Sequence, residues 1–260
     1  MRTQTSLHET LLFTTVGVSI MLITPAFADE EFEEAEVFFE LNNTDGDLGI
    51  HSAVDGGPWK ELEMEGPNGR ELLEIDVKSR LRRQGLTQLF YESAEPTFDE
   101  LDPDKFFRRF PAGEYEIEGE SLDGEEIEST TELTHTIPAQ PQPYVNGIFH
   151  DTDCDDDSVV AVGTPVTISW PLVDSCHPTL GEPCDPGELE VHNYEVVVEA
   201  EIPVNGDELE VKTSTILPPS ATSYTVPNDF IGLTDEWKFE ILVREESFNQ
   251  TAVESCFVIE

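Results

Sequence analysis

The chain is 260 residues long and carries 56 Asp+Glu against 13 Lys+Arg, a formal net charge of −43 at pH 7. A surface of that sign repels phosphate, which excludes nucleic acid and anionic lipid as partners. With 38% apolar residues the chain still fills ordinary cores, which excludes wholesale disorder.

The first residues read as an address. Arg2 opens a polar stretch, an uncharged apolar run follows from Leu11 to Ile23, and Pro25 precedes Ala26-Phe27-Ala28. A positive start, a short apolar centre and an A-x-A end predict a secretory signal peptide over 1–28, cut after Ala28. The alternative is an uncleaved anchor, because the run Thr10 to Ala28 approaches the ~20 residues that cross a bilayer. Thr14, Thr15, Gly17 and Ser19 dilute it. No later segment is long and apolar enough to span, so the expectation is a secreted or periplasmic protein without a transmembrane span after cleavage.

Residues 29–137 alternate apolar and polar residues in short runs. Val37–Leu41, Leu48–Val54, Trp59–Met64, Leu72–Val77 and Leu86–Tyr91 read as strands. Asp45-Gly46, Asp55-Gly56-Gly57 and Pro67-Asn68-Gly69 read as the turns between them, since tight hairpins demand positive φ. Asp102 before Pro103 predicts a capped helix to Phe110, with Phe106, Phe107 and Phe110 as its apolar face and Pro111 as its stop. Tyr115–Ile117 and Ile127–Ile137 follow around Asp123-Gly124. Prolines at 138, 141 and 143 lack amide donors and fix φ, so 138–143 reads as an extended, semi-stiff linker. Both halves it separates are similarly acidic.

In 144–260 strands are expected at Val166–Trp170, Tyr194–Val198, Leu209–Ile216, Ser223–Val226, Trp237–Val243 and Cys256–Ile259, with a turn at Asn205-Gly206 and no helix. The fold class is therefore all-β: two tandem antiparallel β-sandwich domains, with one short helix in the first. All four cysteines, Cys154, Cys176, Cys184 and Cys256, lie in the second half. An even count in an exported chain predicts disulfides. Of three connectivities, the preferred one pairs Cys176 with Cys184 and Cys154 with Cys256. A metal reading of Cys176, His177 and Cys184 lacks the CxxC spacing of zinc sites.

Residues 144–260 resemble a fibronectin type III domain. Trp170 matches that family's core tryptophan, Tyr194 the tyrosine of its third strand, and Tyr224 and Leu233 the fifth strand and the leucine before the sixth. Phe239 stands where the family has its corner tyrosine. The first half is only loosely similar to immunoglobulin-like sandwiches, with Tyr115 in the corner position. The resemblance implies an interaction module of a secreted bacterial protein, binding proteins or carbohydrates or spacing other modules.

Motifs for catalysis are missing: no Gly-x-Ser-x-Gly, no His-Glu-x-x-His, no phosphate-binding glycine loop. His51, His135, His150, His177 and His192 lie in dissimilar contexts and read as scattered strand or surface residues. Asp151, Asp153, Asp155 and Asp157 place carboxylates at alternate positions, the oxygen chemistry Ca²⁺ takes. Asp156 and Val162 stand where an EF-hand needs Gly and Glu, so that motif is excluded. Asn43-Thr44-Asp45-Gly46-Asp47 resembles a calcium loop only locally, and a hairpin turn explains it. Nine of the 13 cations fall between Lys60 and Arg109. Lys78, Arg80, Arg82, Arg83, Arg108 and Arg109 read either as partners of neighbouring carboxylates or as a docking patch for an acidic partner. The sequons at Asn42 and Asn249 matter only in a glycosylating pathway.

The expected function is a non-catalytic exported interaction or adhesion module, binding protein or polysaccharide at the cell surface, with no cofactor beyond Ca²⁺ at the aspartates. The rival readings are a secreted hydrolase or its accessory subunit, with a site near His135 and His150, and a Ca²⁺-stabilised structural module.

Overall fold

The computed structural model of the chain describes residues 30–150, 154 and 159–260. The expected signal peptide therefore lies outside the described residues. Among the described residues the architecture is all-β, with two short helices.

The first half contains β1 (Glu34–Asn42), β2 (Asp47–Gly66), β3 (Arg70–Asp76), β4 (Leu86–Glu92), α1 (Pro103–Arg109), β5 (Gly113–Ser121) and β6 (Glu126–Leu133). A 3-10 turn, Leu81–Arg83, precedes β4. β1 and β2 form a hairpin in which Leu41 faces Leu48, around Gly46 at φ 68°. β2 corrects an expectation. Asp55-Gly56-Gly57 is not a turn, and 47–66 is one strand of 20 residues. Neither glycine has positive φ. Gly56 instead admits Phe32, whose Cδ1 lies 3.2 Å from where a Cβ would stand. The strand shifts register between Asp55 and Trp59, pairing with β1 and β4 before that point and with β3 and β5 beyond it. One strand thus serves two layers, and Trp59, Leu62, Phe39, Tyr115 and Ile117 fill the space between.

Asp102 caps α1 by accepting from the Lys105 amide at 3.3 Å. The helix sets Phe106 and Phe107 edge-on to Phe39, with centroids 6.0 and 5.2 Å away. Tyr115 Oη donates to the Pro111 carbonyl at 3.0 Å, the bond a corner tyrosine makes. β6 ends at Leu133 rather than Ile137.

The second half contains β7 (Tyr144–Val145), β8 (Ile148–Phe149), β9 (Val160–Val162), β10 (Thr167–Ser169), β11 (Val191–Val204), β12 (Asp207–Leu217), β13 (Ser223–Thr225), α2 (Asn228–Ile231), β14 (Glu236–Glu245) and β15 (Gln250–Ile259). The sheet β13-β10-β7-β8 faces β12-β11-β14-β15 across a core of Ile168, Trp170, Tyr194, Val196, Phe239 and Ile241. Asn205 and Gly206 take φ 56° and 95°, as a two-residue hairpin loop requires. Two details differ from expectation. α2 is a helix where none was foreseen, and Leu233 is 50% exposed while Ile231, on α2, is buried in its stead.

The halves share one sheet. β15 pairs in parallel with β1 (Glu40↔Gln250, Leu41↔Thr251, Asn42↔Ala252), so the strand order runs β12-β11-β14-β15-β1-β2-β5-β6. Both cores lie on the same side of this junction, because Leu41 of the first and Val253 of the second share a parity. Asn249, fully buried, locks the crossing. Its Oδ1 accepts from Phe39 N at 2.8 Å, and its Nδ2 donates to the Thr134 and Thr136 carbonyls at 3.1 and 3.0 Å. A side chain so engaged is no glycosylation acceptor in the folded protein. The proline segment is packed along its length: Pro138, Pro141 and Pro143 are buried, and Ala139 N donates to Ser175 O at 2.9 Å.

Candidate functional site

Opposite the cores, the shared sheet presents its other parity: Glu36, Phe38 and Glu40 of β1, Asp47, Gly49 and His51 of β2, Gln250 and Glu254 of β15, Glu240 and Arg244 of β14. Strand alternation alone dictates this grouping.

His51 is 3% exposed. Its Nε2 lies 3.0 Å from Glu95 Oε1 and its Nδ1 3.8 Å from Glu40 Oε2. The second distance is beyond hydrogen bonding. Glu40, directly across from Gly49 in the register, is oriented by a hydrogen bond from Gln250 Nε2. Glu95 comes from the loop after β4, and backbone contacts pin that loop on both sides. Ser93 exchanges hydrogen bonds with Ile50, and Phe98 N donates to Gly46 O at 2.9 Å. The Glu95 carboxylate is thereby laid over Gly49. A Cβ on Gly49 would stand 2.2 Å from Glu95 Oε1 and 2.9 Å from His51 Nε2. Arg244 closes the far side, bonded to Glu36 and lying 4.6 Å over the Phe38 ring.

Crowding carboxylates without solvent favours their protonated forms. Burial pushes the Asp47 carboxyl up to about 6, helped by Glu95, Asp45, Glu254 and Glu40. Burial also raises Glu40, against the attraction of His51. Glu240 goes furthest, to about 8, through burial first and then Glu40 and Glu254, with Lys212 opposing.

The sequence-predicted groups fall elsewhere. Asp151, Asp153, Asp155 and Asp157 lie outside the described residues. Lys78, Arg80, Arg82 and Arg83 sit between β3 and β4, while Arg108 and Arg109 end α1. Among the described residues, no hydrogen bond or ion pair joins the two sets. Arg82 pairs with Glu61 and Asp76, and Lys78 with Asp76. Arg80, Arg83, Arg108 and Arg109 are exposed and make no ion pair among the described residues. Cys176 and Cys184 form a disulfide with Cα atoms 5.5 Å apart. Cys154 and Cys256 line one cleft of about 760 Å³.

His135 and His150 do not converge on a site. His135 bonds the Phe110 carbonyl at 2.9 Å and stacks on Phe107 at 4.7 Å. His150 is fully buried, its Nδ1 2.7 Å from Ile148 O. His177 Nδ1 accepts from Leu180 N at 3.1 Å, and its Nε2 faces Asn43 Oδ1 at 3.2 Å. The 43–47 segment is the β1–β2 turn, with Asn42 Oδ1 accepting from Thr44 N at 3.0 Å. The grouping of Glu40, His51 and Glu95 was missed. Its signal was the Asp45-Gly46 turn, whose register places Glu40 across from Gly49 and diagonal to His51. Glu95, on a loop, had none.

No family model matches the chain, and no curated protein sequence matches it. Among solved structures, it is similar to the fibronectin(III)-like modules of Clostridium thermocellum CbhA, at 9% identity and TM-score 0.28, covering 88% of this chain and 91% of that one. It is also similar to a tetra-tandem repeat in the extending region of a large adhesion protein, at 12% identity and TM-score 0.25, covering 87% and 50%. A third is a Ca²⁺-stabilised adhesin with which an Antarctic bacterium binds ice, at 10% identity and TM-score 0.22, covering 88% and 50%. None of these likenesses bears on what the chain binds.

Proposed function

We propose that the protein is a non-catalytic, exported interaction module that meets a protein or polysaccharide at the cell surface, with arginines of its first half taking local anionic groups of that partner. One observation carries this reading. In a chain with 56 acids and 13 cations, Arg80, Arg83, Arg108 and Arg109 are exposed without an ion pair among the described residues. Carboxylates are everywhere available to them, so cations left unpaired on such a surface are open to an anionic group from outside. The two sets need not touch: each serves as a separate anchor on one stiff body. The absence of catalysis is supported by the commitments of His135 and His177 to backbone groups and Asn43.

The test is co-sedimentation of the mature chain with insoluble envelope material from its own cells, across a salt series. The expected result is retention that weakens with salt and is lost when the four arginines are changed to alanine. Equal retention of that variant refutes the role of the arginines. Turnover of generic ester, glycoside or peptide substrates refutes the non-catalytic reading.

A further inference from the structure

The side chains gathered over Gly49 have chemistry that a partner-binding surface does not need. A histidine nearly removed from solvent faces one carboxylate from the neighbouring strand and another from a loop pinned across it. One donor atom from each of Glu40, His51 and Glu95 can be chosen so that all three lie within 4.8 Å of one another. We propose that these three side chains form a binding site for a divalent transition-metal ion of the zinc class.

Gly49 argues that the space is built. Its φ is not positive, so backbone conformation does not call for glycine there. A Cβ would strike the Glu95 carboxylate and the His51 ring, so the missing side chain is what allows these two donors to converge. A second feature is Asp47 Oδ1, on the same strand face, buried and without a hydrogen-bond partner. It is an acceptor that the protein itself leaves unsatisfied, of the kind a metal-bound water uses. Gln250 holds Glu40 from the opposite side, as outer hydrogen bonds commonly orient metal ligands. The donor set fixes the class of ion. One imidazole with two carboxylates suits Zn²⁺ and its neighbours, whereas Ca²⁺ takes six to eight oxygens and no nitrogen. Three protein ligands leave a fourth position for water. The competing account is a metal-free cluster, in which His51 is held by Glu95 and Glu40 alone.

Zn²⁺ titration of the full mature chain by calorimetry, in 0.3 M NaCl with excess Mg²⁺ to occupy diffuse acidic sites, separates the two. Wild type is expected to show one saturable site per chain. Glu95→Gln, which keeps the size of a half-buried side chain, should weaken that site at least tenfold, and so should His51→Asn. Substitution with Co²⁺ should give a visible absorption band that Glu95→Gln abolishes. If His51→Asn fails to fold, Glu95→Gln and the Co²⁺ band decide. The proposal is overturned by the lack of a stoichiometric Zn²⁺ site, by affinity unchanged in Glu95→Gln, or by a site that takes Ca²⁺ in preference to Zn²⁺.

Discussion

Glu240 offers the sharpest handle on the electrostatics of the shared sheet. Its carboxyl, ordinarily titrating near 4.5, is pushed to about 8. The folded protein therefore holds this proton more tightly than the unfolded chain does. Stability from it is fully present below pH 4.5 and is lost progressively as pH rises from there through about 8. At about 1.4 kcal/mol for each tenfold change in proton affinity, the rise from 4.5 to about 8 sets a ceiling of roughly 5 kcal/mol. Solvent reaches the rim of this face, so about 2–3 kcal/mol is the realistic loss. Glu240→Gln keeps the shape and removes the titration. At pH 9 the variant should melt about 5–10 °C above wild type, at roughly 2–4 °C per kcal/mol for a chain of this size. At pH 4.5 the two should nearly coincide. Thermal melts followed by circular dichroism across pH 4.5–9 provide the comparison. Parallel curves, with the same offset at both ends, would refute the reasoning.

Other consequences follow from the same contacts. Asn249→Ala strands Phe39 N and two threonine carbonyls in the interior; urea unfolding should show a loss of about 3 kcal/mol or more, and a loss below about 1 kcal/mol would contradict the bonding described. Replacing Cys176 and Cys184 together by alanine opens a loop of separation 8 and should cost about 2–3 kcal/mol by the same measurement. Gly181, at φ 72°, leaves only 2.1 Å between a built Cβ and the His135 carbonyl oxygen. Gly181→Ala should therefore lift this loop off the first half, read as faster amide exchange at His177, whose N–H bonds Ile137 O at 2.7 Å.

Legibility followed the range of the interaction. Gly46, Asn68-Gly69, Gly124 and Asn205-Gly206 take the positive φ expected of them, because a tight turn is decided by its own residues. The cap at Asp102 and the bond from Tyr115 to Pro111 are equally local. Asp55-Gly56-Gly57 misled because glycine has two uses. Here it yields room to Phe32 rather than reversing the chain. The β1–β15 pairing joins residues some 210 positions apart; alternation shows which side of a strand is apolar, not which strand lies beside it. The same gap hid the candidate site. His51 within a strand is uninformative until Glu40 and Glu95 arrive from a neighbouring strand and a loop, and among 56 acids no pair stands out.

The pairing of β1 with β15 and the bonds of Asn249 join the two cores into one cooperative body. Scanning calorimetry of the protein tests this directly. A single transition with equal calorimetric and van't Hoff enthalpies is the expected result, with two transitions emerging only when Asn249 is replaced by alanine. Two separable transitions in the unaltered protein would contradict it.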